Sequence, residues 1–247
     1  MGNSINTLKI LSRKNRTGLS LSTQTAWSPE QEASLVAWYQ YQTGITLNGF
    51  TPEVSGWDNS VPITNPNFGL YHLTQTAVSP QTRPDYINGV ISFNGTGDCL
   101  NVTGQIQLTG DFTIGFKVKN TATNVTIYGS NSVHGEFLRF SNNINIKIII
   151  DNAITLDFPI SNQVNLLAYY TISRSNNNYY LTQNGGGLIS PNIPAPIPIT
   201  SPVINIDAIG VRKTNTNFYK GEMSEIQIYN SSSQTLINNV NTRLASL

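Results

Sequence analysis

The fold class of this chain is decided by the stretch Phe112-Thr113-Ile114-Gly115-Phe116-Lys117-Val118-Lys119. Its apolar residues recur at every second position, which is the period of a β-strand. We therefore predict a strand with one face in a core and its lysine face in water. Other short apolar or aromatic runs are separated by turn residues, at the spacing typical of a sandwich or barrel. Further strands are predicted at 35–39, 71–75, 90–93, 99–102, 125–128, 136–140, 144–150, 166–173, 179–183, 203–211 and 224–229.

Helix signals occur at two places. Ser28-Pro29-Glu30-Gln31 combines an N-cap serine, an early proline and a glutamine three residues after the cap. Only about one turn fits there before the strand at 35–39, and 43–66 reads as a loop rich in glycine and proline. Near the C-terminus, four apolar residues fall on one helical face, which predicts a short amphipathic helix. They are Leu236, Ile237, Val240 and Leu244.

The composition predicts one folded domain with a neutral surface. A chain of 247 residues fits a single large all-β domain. Charged residues make up only 11% of it, against about 25% in a typical protein. Amide and hydroxyl side chains take their place. The net charge of +1 provides no basic field for nucleic acid, so that class of partner is not expected.

The basic residues are unevenly distributed. Four of them precede the first acidic residue, Glu30, whereas the other ten are outnumbered by the 13 acidic residues. The four are Lys9, Arg13, Lys14 and Arg16. Residues 1–27 also lack periodicity, so we predict an extended basic arm at 1–27 that anchors a domain at 28–247 to a larger partner.

Several kinds of site and location are disfavoured by the sequence. The single cysteine, Cys99, cannot form an intrachain disulfide, and two histidines far apart, His72 and His134, do not build a histidine-rich metal site. The N-terminus has no continuous apolar segment of the kind found in signal peptides, and no run of about 18 apolar residues occurs. We expect neither a signal peptide nor a membrane span.

Several segments, taken in order, carry a family resemblance. They are 35–39, 56–59, 73–75, 83–84, 91–100, 112–114, 209–212 and 218–229. This series resembles the laminin-G-like branch of the concanavalin A-like lectin/glucanase superfamily, of the kind found in phage virion structural proteins. The resemblance covers about 33–247. It implies an antiparallel jelly-roll sandwich of two sheets, in which many relatives hold glycans on a concave face or on rim loops.

Three aspartates adjoin glycines or turns. They are Asp58, Asp98 and Asp111. Aspartate in such places commonly accepts hydrogen bonds from local backbone N–H groups. The resemblance adds a second interpretation, because some relatives carry calcium on such loops, so these three are the calcium candidates. Both interpretations stay open, and no other cofactor is expected.

The sequence predicts that the protein is not an enzyme. Glycosidases of this superfamily use a strand motif Glu-x-Asp-x-x-Glu that places paired carboxylates beside the scissile bond, and this chain lacks it. Its nearest acidic pair, Glu222 and Glu225, is three residues apart, which on a regular strand puts the two side chains on opposite faces. We interpret both as structural. The chain also has no Gly-x-Ser-x-Gly elbow.

Glycan binding requires an aromatic platform and a few planar polar groups. Candidate platforms near predicted loops or strand ends are Trp57, Tyr71, Tyr128, Tyr179, Tyr180 and Tyr219. The competing interpretation is that these aromatics are core or cross-strand residues, as most aromatics of a β-sandwich are.

Two functional hypotheses follow. The first is a non-enzymatic structural or accessory protein of a bacteriophage virion: a capsid decoration, a fibre or a tail-associated subunit. It would be present in many copies or as a homo-oligomer, held to other virion proteins by the arm, with weak affinity for glycans. The second is a lectin-type module for receptor binding or adsorption to host-surface glycans. Deletion of residues 1–27 and a glycan array would discriminate between them.

Overall fold

The computed structural model describes residues 26–129, 138–150, 154–192, 203–212 and 215–247. In chain order, its strands are β1 (Leu35–Tyr39), β2 (Ile45–Leu47), β3 (Val54–Trp57), β4 (Leu73–Thr74), β5 (Asp85–Ile87), β6 (Val90–Asn94), β7 (Leu100–Leu108), β8 (Phe112–Asn120), β9 (Val125–Gly129), β10 (Leu138–Asn142), β11 (Asn145–Ile150), β12 (Ile154–Pro159), β13 (Leu167–Ser175), β14 (Asn178–Gln183), β15 (Ile204–Ile209) and β16 (Lys220–Tyr229). A short 3-10 helix spans Pro29–Gln31, and one α-helix, α1, spans Gln234–Ser246.

The strands form two antiparallel sheets. The seven-stranded sheet has the order β14-β13-β8-β16-β6-β5, and β1 also pairs with β16. The nine-stranded sheet has the order β12-β11-β10-β9-β15-β7-β4-β3-β2. Their inner faces share one continuous core of buried aliphatic and aromatic residues. A fold of this kind, with hydrophobic faces of two sheets packed together, is a β-sandwich.

The two sheets approach each other at one edge through a short backbone ladder. The segment that leads into β3 pairs with the segment that leads into β5: the Val54 N–H donates to the Pro84 carbonyl oxygen and the Tyr86 N–H to the Pro52 carbonyl oxygen, both at 2.7 Å. Unpaired edge groups invite pairing with other chains. This ladder therefore satisfies the edge of β5 within the domain.

Helix α1 covers the outer face of the seven-stranded sheet. Its predicted apolar residues are buried, together with Leu35, Trp38, Val61 and Tyr229. A Cβ added to Gly115 of β8 would lie 2.3 Å from Val240 Cγ1, so glycine at this position permits the close approach of the helix. The prediction that the lysine face of β8 meets water is therefore wrong for Lys117. This residue is buried, and its Nζ donates to the carbonyl oxygens of Leu244 and Leu247 at the helix end.

The structure confirms the predicted fold class, an all-β antiparallel sandwich with a C-terminal helix. Each predicted strand overlaps an observed one, although 136–137 lie outside the described residues, as do Lys9, Arg13, Lys14 and Arg16 of the predicted arm. Strands β5 and β12 were not predicted, and 43–66, predicted as a loop, contains β2 and β3. Of the described helices, none has the length and apolarity needed to cross a membrane.

Candidate functional site

Four of the predicted glycan-binding aromatics lie in the core. Trp57, Tyr128, Tyr179 and Tyr219 are each at most 2% exposed. Phe116 meets Tyr128 edge to face at 5.4 Å between ring centroids, an ordinary core contact. A ring enclosed in this way cannot offer its face to a sugar, so the interpretation of these four as platforms is wrong. Tyr180 is half-buried on β14.

Tyr71 is different, because it is half-buried at a rim of the nine-stranded sheet. Its carbonyl oxygen accepts a 2.7 Å hydrogen bond from the Tyr39 hydroxyl, and its backbone has a φ of 60°. Asp58 lies beside it: Asp58 Oδ1 is 3.1 Å from Nδ1 of His72, an ion pair when the imidazole is protonated. The side chain of Asp58 is 60% exposed. The fold thus brings two sequence candidates, Tyr71 and Asp58, to one corner.

The other two aspartates serve as hydrogen-bond acceptors for loops. Asp98 is buried and accepts hydrogen bonds from the Asn94 N–H at 2.7 Å and the Thr82 hydroxyl at 2.6 Å. Burial raises the pKa of Asp98. Asp111 accepts from the Asn176 N–H at 3.0 Å. Within the described residues, no group of three or more histidine, cysteine, aspartate or glutamate side chains is placed to hold a metal ion.

The acidic pair on β16 shares one face of the sheet, so the prediction of opposite faces is wrong. Glu222 is paired with Lys119 and Glu225 with Lys117, and the register shifts between Met223 and Glu225. Lys117 and Lys119 are two apart on β8 and therefore project on the same side. A β-bulge inserts one residue into a strand and reverses the alternation beyond it. The sequence carries no local signal of this bulge.

Glu225 has a structural role. It is fully buried and accepts hydrogen bonds from Arg243, the Trp38 indole, the Tyr41 backbone N–H and the Gln227 amide. These donors occupy both carboxylate oxygens beneath α1. A carboxylate enclosed and hydrogen-bonded in this way is not placed to act on an external substrate.

The outer face of the nine-stranded sheet carries a row of hydrogen-bonded amides. Gln107 and Asn205 are opposite each other on β7 and β15, where their neighbours Ile106 and Ile206 point into the core. Gln107 Nε2 donates to Gln105 Oε1 at 3.0 Å and to Asn205 Oδ1 at 3.1 Å. Gln107 is exposed and Gln105 half-buried. The exposed amide of Gln107 is thus hydrogen-bonded to the side chains of Gln105 and Asn205 on either side of it.

A second amide network lies further along β7. Asn101 Nδ2 donates to Gln81 Oε1, and Gln81 Nε2 donates to Asn215 Oδ1, both at 2.9 Å. Thr103, between the two networks, donates its hydroxyl hydrogen to the His72 carbonyl oxygen at 3.0 Å. Strand β7 therefore connects both networks to the rim where Tyr71 lies.

We name this surface the amide face. It consists of Gln81, Asn101, Gln105, Gln107, Asn205 and Asn215. Sequence reasoning missed these residues because the chain is rich in asparagine and glutamine throughout, and only strand register shows which of them are neighbours. The alternation of polar with apolar residues from Gln105 to Leu108 was the one signal present.

No protein-family model matches the sequence, and no curated protein matches it. In structure, the chain is similar to domain 4 of AbnA, a GH43 extracellular arabinanase from Geobacillus stearothermophilus, in complex with arabinotriose. The identity is 14% and the TM-score 0.52, with 86% of this chain and 98% of that domain covered. It is also similar to Trypanosoma rangeli sialidase in complex with sialic acid, at 11% identity and a TM-score of 0.55, with 87% of this chain covered.

The chain spans about a third of that sialidase, 33% of its length. A Ruminococcus gnavus IT-sialidase CBM40 bound to α2,3-sialyllactose has 18% identity and a TM-score of 0.42, over 54% of this chain and 83% of that one. At such low identities, the likenesses to the arabinanase domain and to the Trypanosoma rangeli sialidase show the fold alone. The class defined here is an antiparallel β-sandwich of two sheets.

Proposed function

We propose that this protein is a non-catalytic glycan-binding module that binds neutral oligosaccharides on its amide face. The observation that carries the proposal is the pair of amide networks along β7, centred on Gln107 and Gln81. Amide groups both donate and accept hydrogen bonds in a plane, as sugar hydroxyls require. Because the amides hold one another in place, little side-chain entropy is lost when a ligand binds.

The length and chemistry of the face favour an extended, uncharged ligand. Asn101 and Gln107 pair with Ala208 and Asn205 of β15, which are three residues and so about 10 Å apart along that strand. This length suits a short chain of two or three sugar rings. The carboxylate of Asp58 at the rim disfavours an anionic sugar, and the half-buried Tyr71 supplies an apolar contact there. The fold shared with an arabinanase domain in complex with arabinotriose makes that sugar the first probe.

The test is a calorimetric titration of the full chain with arabinotriose and longer neutral oligosaccharides, with sialic acid in parallel. Gln107→Ala removes the central amide, and Gln234→Ala, at an exposed glutamine of α1, is the matched control. A net hydrogen bond contributes about 0.5–1.5 kcal/mol, so Gln107→Ala should raise Kd about two- to twelvefold. Gln234→Ala should not change it. Release of free sugar from the bound oligosaccharide is not expected.

The proposal fails if folded protein binds none of the neutral sugars. It also fails if both glutamine variants weaken binding equally. Tighter binding of sialic acid than of any neutral probe would contradict the choice of an uncharged ligand.

We further propose that the domain works as part of a bacteriophage virion, attached through residues 1–27. This rests on the four basic residues that precede Glu30 in an otherwise weakly acidic chain. Basic residues clustered in this way favour an acidic docking surface on a larger assembly, and they affect orientation and association rate more than affinity. A module with weak single-site affinity gains from many copies on one particle.

Sedimentation of a lysate that contains bacteriophage particles tests the proposed virion role. The full chain should travel with particles, and changing Lys9, Arg13, Lys14 and Arg16 to alanine should release it. The matched control keeps the charge: Lys9→Arg, Arg13→Lys, Lys14→Arg and Arg16→Lys should still sediment. A chain that runs free of particles contradicts the virion role and leaves the glycan-binding role to its own test.

A further inference from the structure

A pocket of about 320 Å³ lies between Trp27 and one flank of helix α1. Its walls are Ala26, Trp27, Asn239, Thr242, Arg243 and Ser246. Small-molecule sites in proteins commonly have volumes of about 300–1,000 Å³. The pocket is on the seven-stranded side of the sandwich, because α1 packs on β8 and β13, and it shares no residue with the amide face.

Two large side chains of the pocket are held in place from behind. The Trp27 indole N–H donates to Glu32 Oε1 at 2.9 Å. The guanidinium of Arg243 is fixed by Glu225 and lies 4.9 Å from the ring centroid of Trp38. Because the ring and the guanidinium are already held in place, ligand binding costs little side-chain entropy to order them.

The small side chains determine the polarity of the wall. Thr242 Oγ1 donates its hydrogen to the Asn238 carbonyl oxygen at 2.9 Å, and Ser246 Oγ donates to the Arg243 carbonyl oxygen at 2.7 Å. Because both hydroxyl hydrogens are used within the helix, the two oxygens can serve a ligand only as acceptors. Asn239 supplies an amide that both donates and accepts, and a guanidinium has more N–H donors than the two Arg243 uses on Glu225.

The charge of the wall favours a neutral ligand. Arg243 is the only ionisable residue among the described residues that line the pocket, and its charge is balanced by the buried carboxylate of Glu225. An anion would have to compete with a bidentate ion pair. A ligand whose hydroxyls donate and accept, and whose ring has an apolar face for an indole, matches these groups.

We propose that this pocket is a second saccharide site, which binds a neutral mono- or disaccharide against Trp27. It is independent of the amide face. The sugar ring stacks on the indole, its hydroxyls donate to Thr242 and Ser246, and Asn239 and Arg243 donate to its oxygens. The pocket would bind a terminal or isolated unit, whereas the amide face would bind an extended chain.

The indole N–H signal of Trp27 in nuclear magnetic resonance spectra tests this site in the full chain. The protein has three tryptophans, and Trp27→Phe identifies the signal. Maltose, cellobiose and lactose are the probes. At least one should move the Trp27 signal in a saturable way, and Gln107→Ala should leave that titration unchanged. Thr242→Ala, which removes an acceptor, should raise Kd about threefold or more, whereas Thr235→Ala, an exposed threonine of the same helix outside the pocket, should not.

The proposal is overturned if none of the three sugars moves the Trp27 signal in folded protein, whatever else fills the pocket. It is also overturned if Thr242→Ala and Thr235→Ala bind alike. Because Gln107 and Trp27 are read separately, loss of sugar binding at the amide face and loss at this pocket are distinguishable.

Discussion

The guanidinium of Arg243 on α1 forms a bidentate ion pair with the buried carboxylate of Glu225 on β16. Nε lies 2.5 Å from Oε1 and Nη2 lies 2.9 Å from Oε2. Arg243 is also stacked over Trp38, whose indole N–H donates to the same carboxylate. This group ties the C-terminal helix to the sheet and to β1. It helps to hold α1 over the lysine face of β8, which the sequence assigns to solvent.

Arg243→Ala should destabilise the fold strongly. The substitution leaves the carboxylate of Glu225 buried without its cation, and breaking a buried pair costs about 3–5 kcal/mol. Urea denaturation measures this loss in the free energy of unfolding. Lys119→Ala is the control, because its partner Glu222 is about one-third exposed and such pairs contribute about 0–1 kcal/mol. Equal losses in the two variants would contradict the role given to Arg243.

Gly115→Ala should displace helix α1. The new Cβ would lie 2.3 Å from Val240 Cγ1, and overpacking of this kind costs about 1–3 kcal/mol. Gly187→Ala is the matched control, since nothing lies within 4 Å of a Cβ there. Thermal or urea unfolding should show a clear loss for the first and almost none for the second. An unchanged Gly115→Ala protein would mean that the helix does not pack here.

Cys99 should be inert in the folded protein. It is completely buried, and burial raises the pKa of its thiol to about 12. At pH 8 about one thiol in 10,000 would then be ionised, and the thiolate is the reactive form. Labelling with a disulfide reagent should be negligible in native buffer and complete in denaturant. Rapid labelling of the native protein would show that Cys99 is accessible.

Asp98 should make the protein less stable as the pH rises above the ordinary aspartate range. Burial raises its pKa in the folded state, so between the ordinary and the raised pKa the folded state holds a proton that the unfolded state has lost. Stability contributed by this proton is present at acid pH and is lost as the pH rises through the raised pKa. Asp98→Asn removes this titration.

Denaturant unfolding of the wild type and Asp98→Asn, at several values between about pH 4 and pH 7, measures the effect. The stability of the wild type relative to the variant should fall with pH and then level off. A difference that grows with pH would show that the hydrogen bonds from Thr82 and Asn94 outweigh the burial of the carboxylate.

The periodicity of the sequence was enough to predict the sandwich. The alternation at 112–118 marks a central strand, and the helical stripe ending at Leu244 marks α1. Both signals depend only on neighbours along the chain. The docking of α1 on Gly115 could not be predicted in this way, because it depends on which sheet face the helix meets.

Site prediction failed for a related reason. Trp57 and Tyr128 have aromatic rings of the kind that stack on sugars, yet their positions in the strands turn them into the core. Gln107 and Asn205 are far apart in the chain and become neighbours only through the pairing of β7 with β15. The bulge that puts Glu225 on the face of Glu222 likewise depends on cross-strand pairing.

The side-chain amide signals of the protein, followed in nuclear magnetic resonance spectra during titration with arabinotriose, test the central claim most directly. The account predicts that the NH₂ signals of Gln107, Gln105 and Asn205 shift in a saturable way, while those of Gln234 and Asn238 on α1 stay in place. Assignment rests on single substitutions of each amide. Signals of the amide face that remain unmoved by arabinotriose and by longer neutral oligosaccharides would contradict the account.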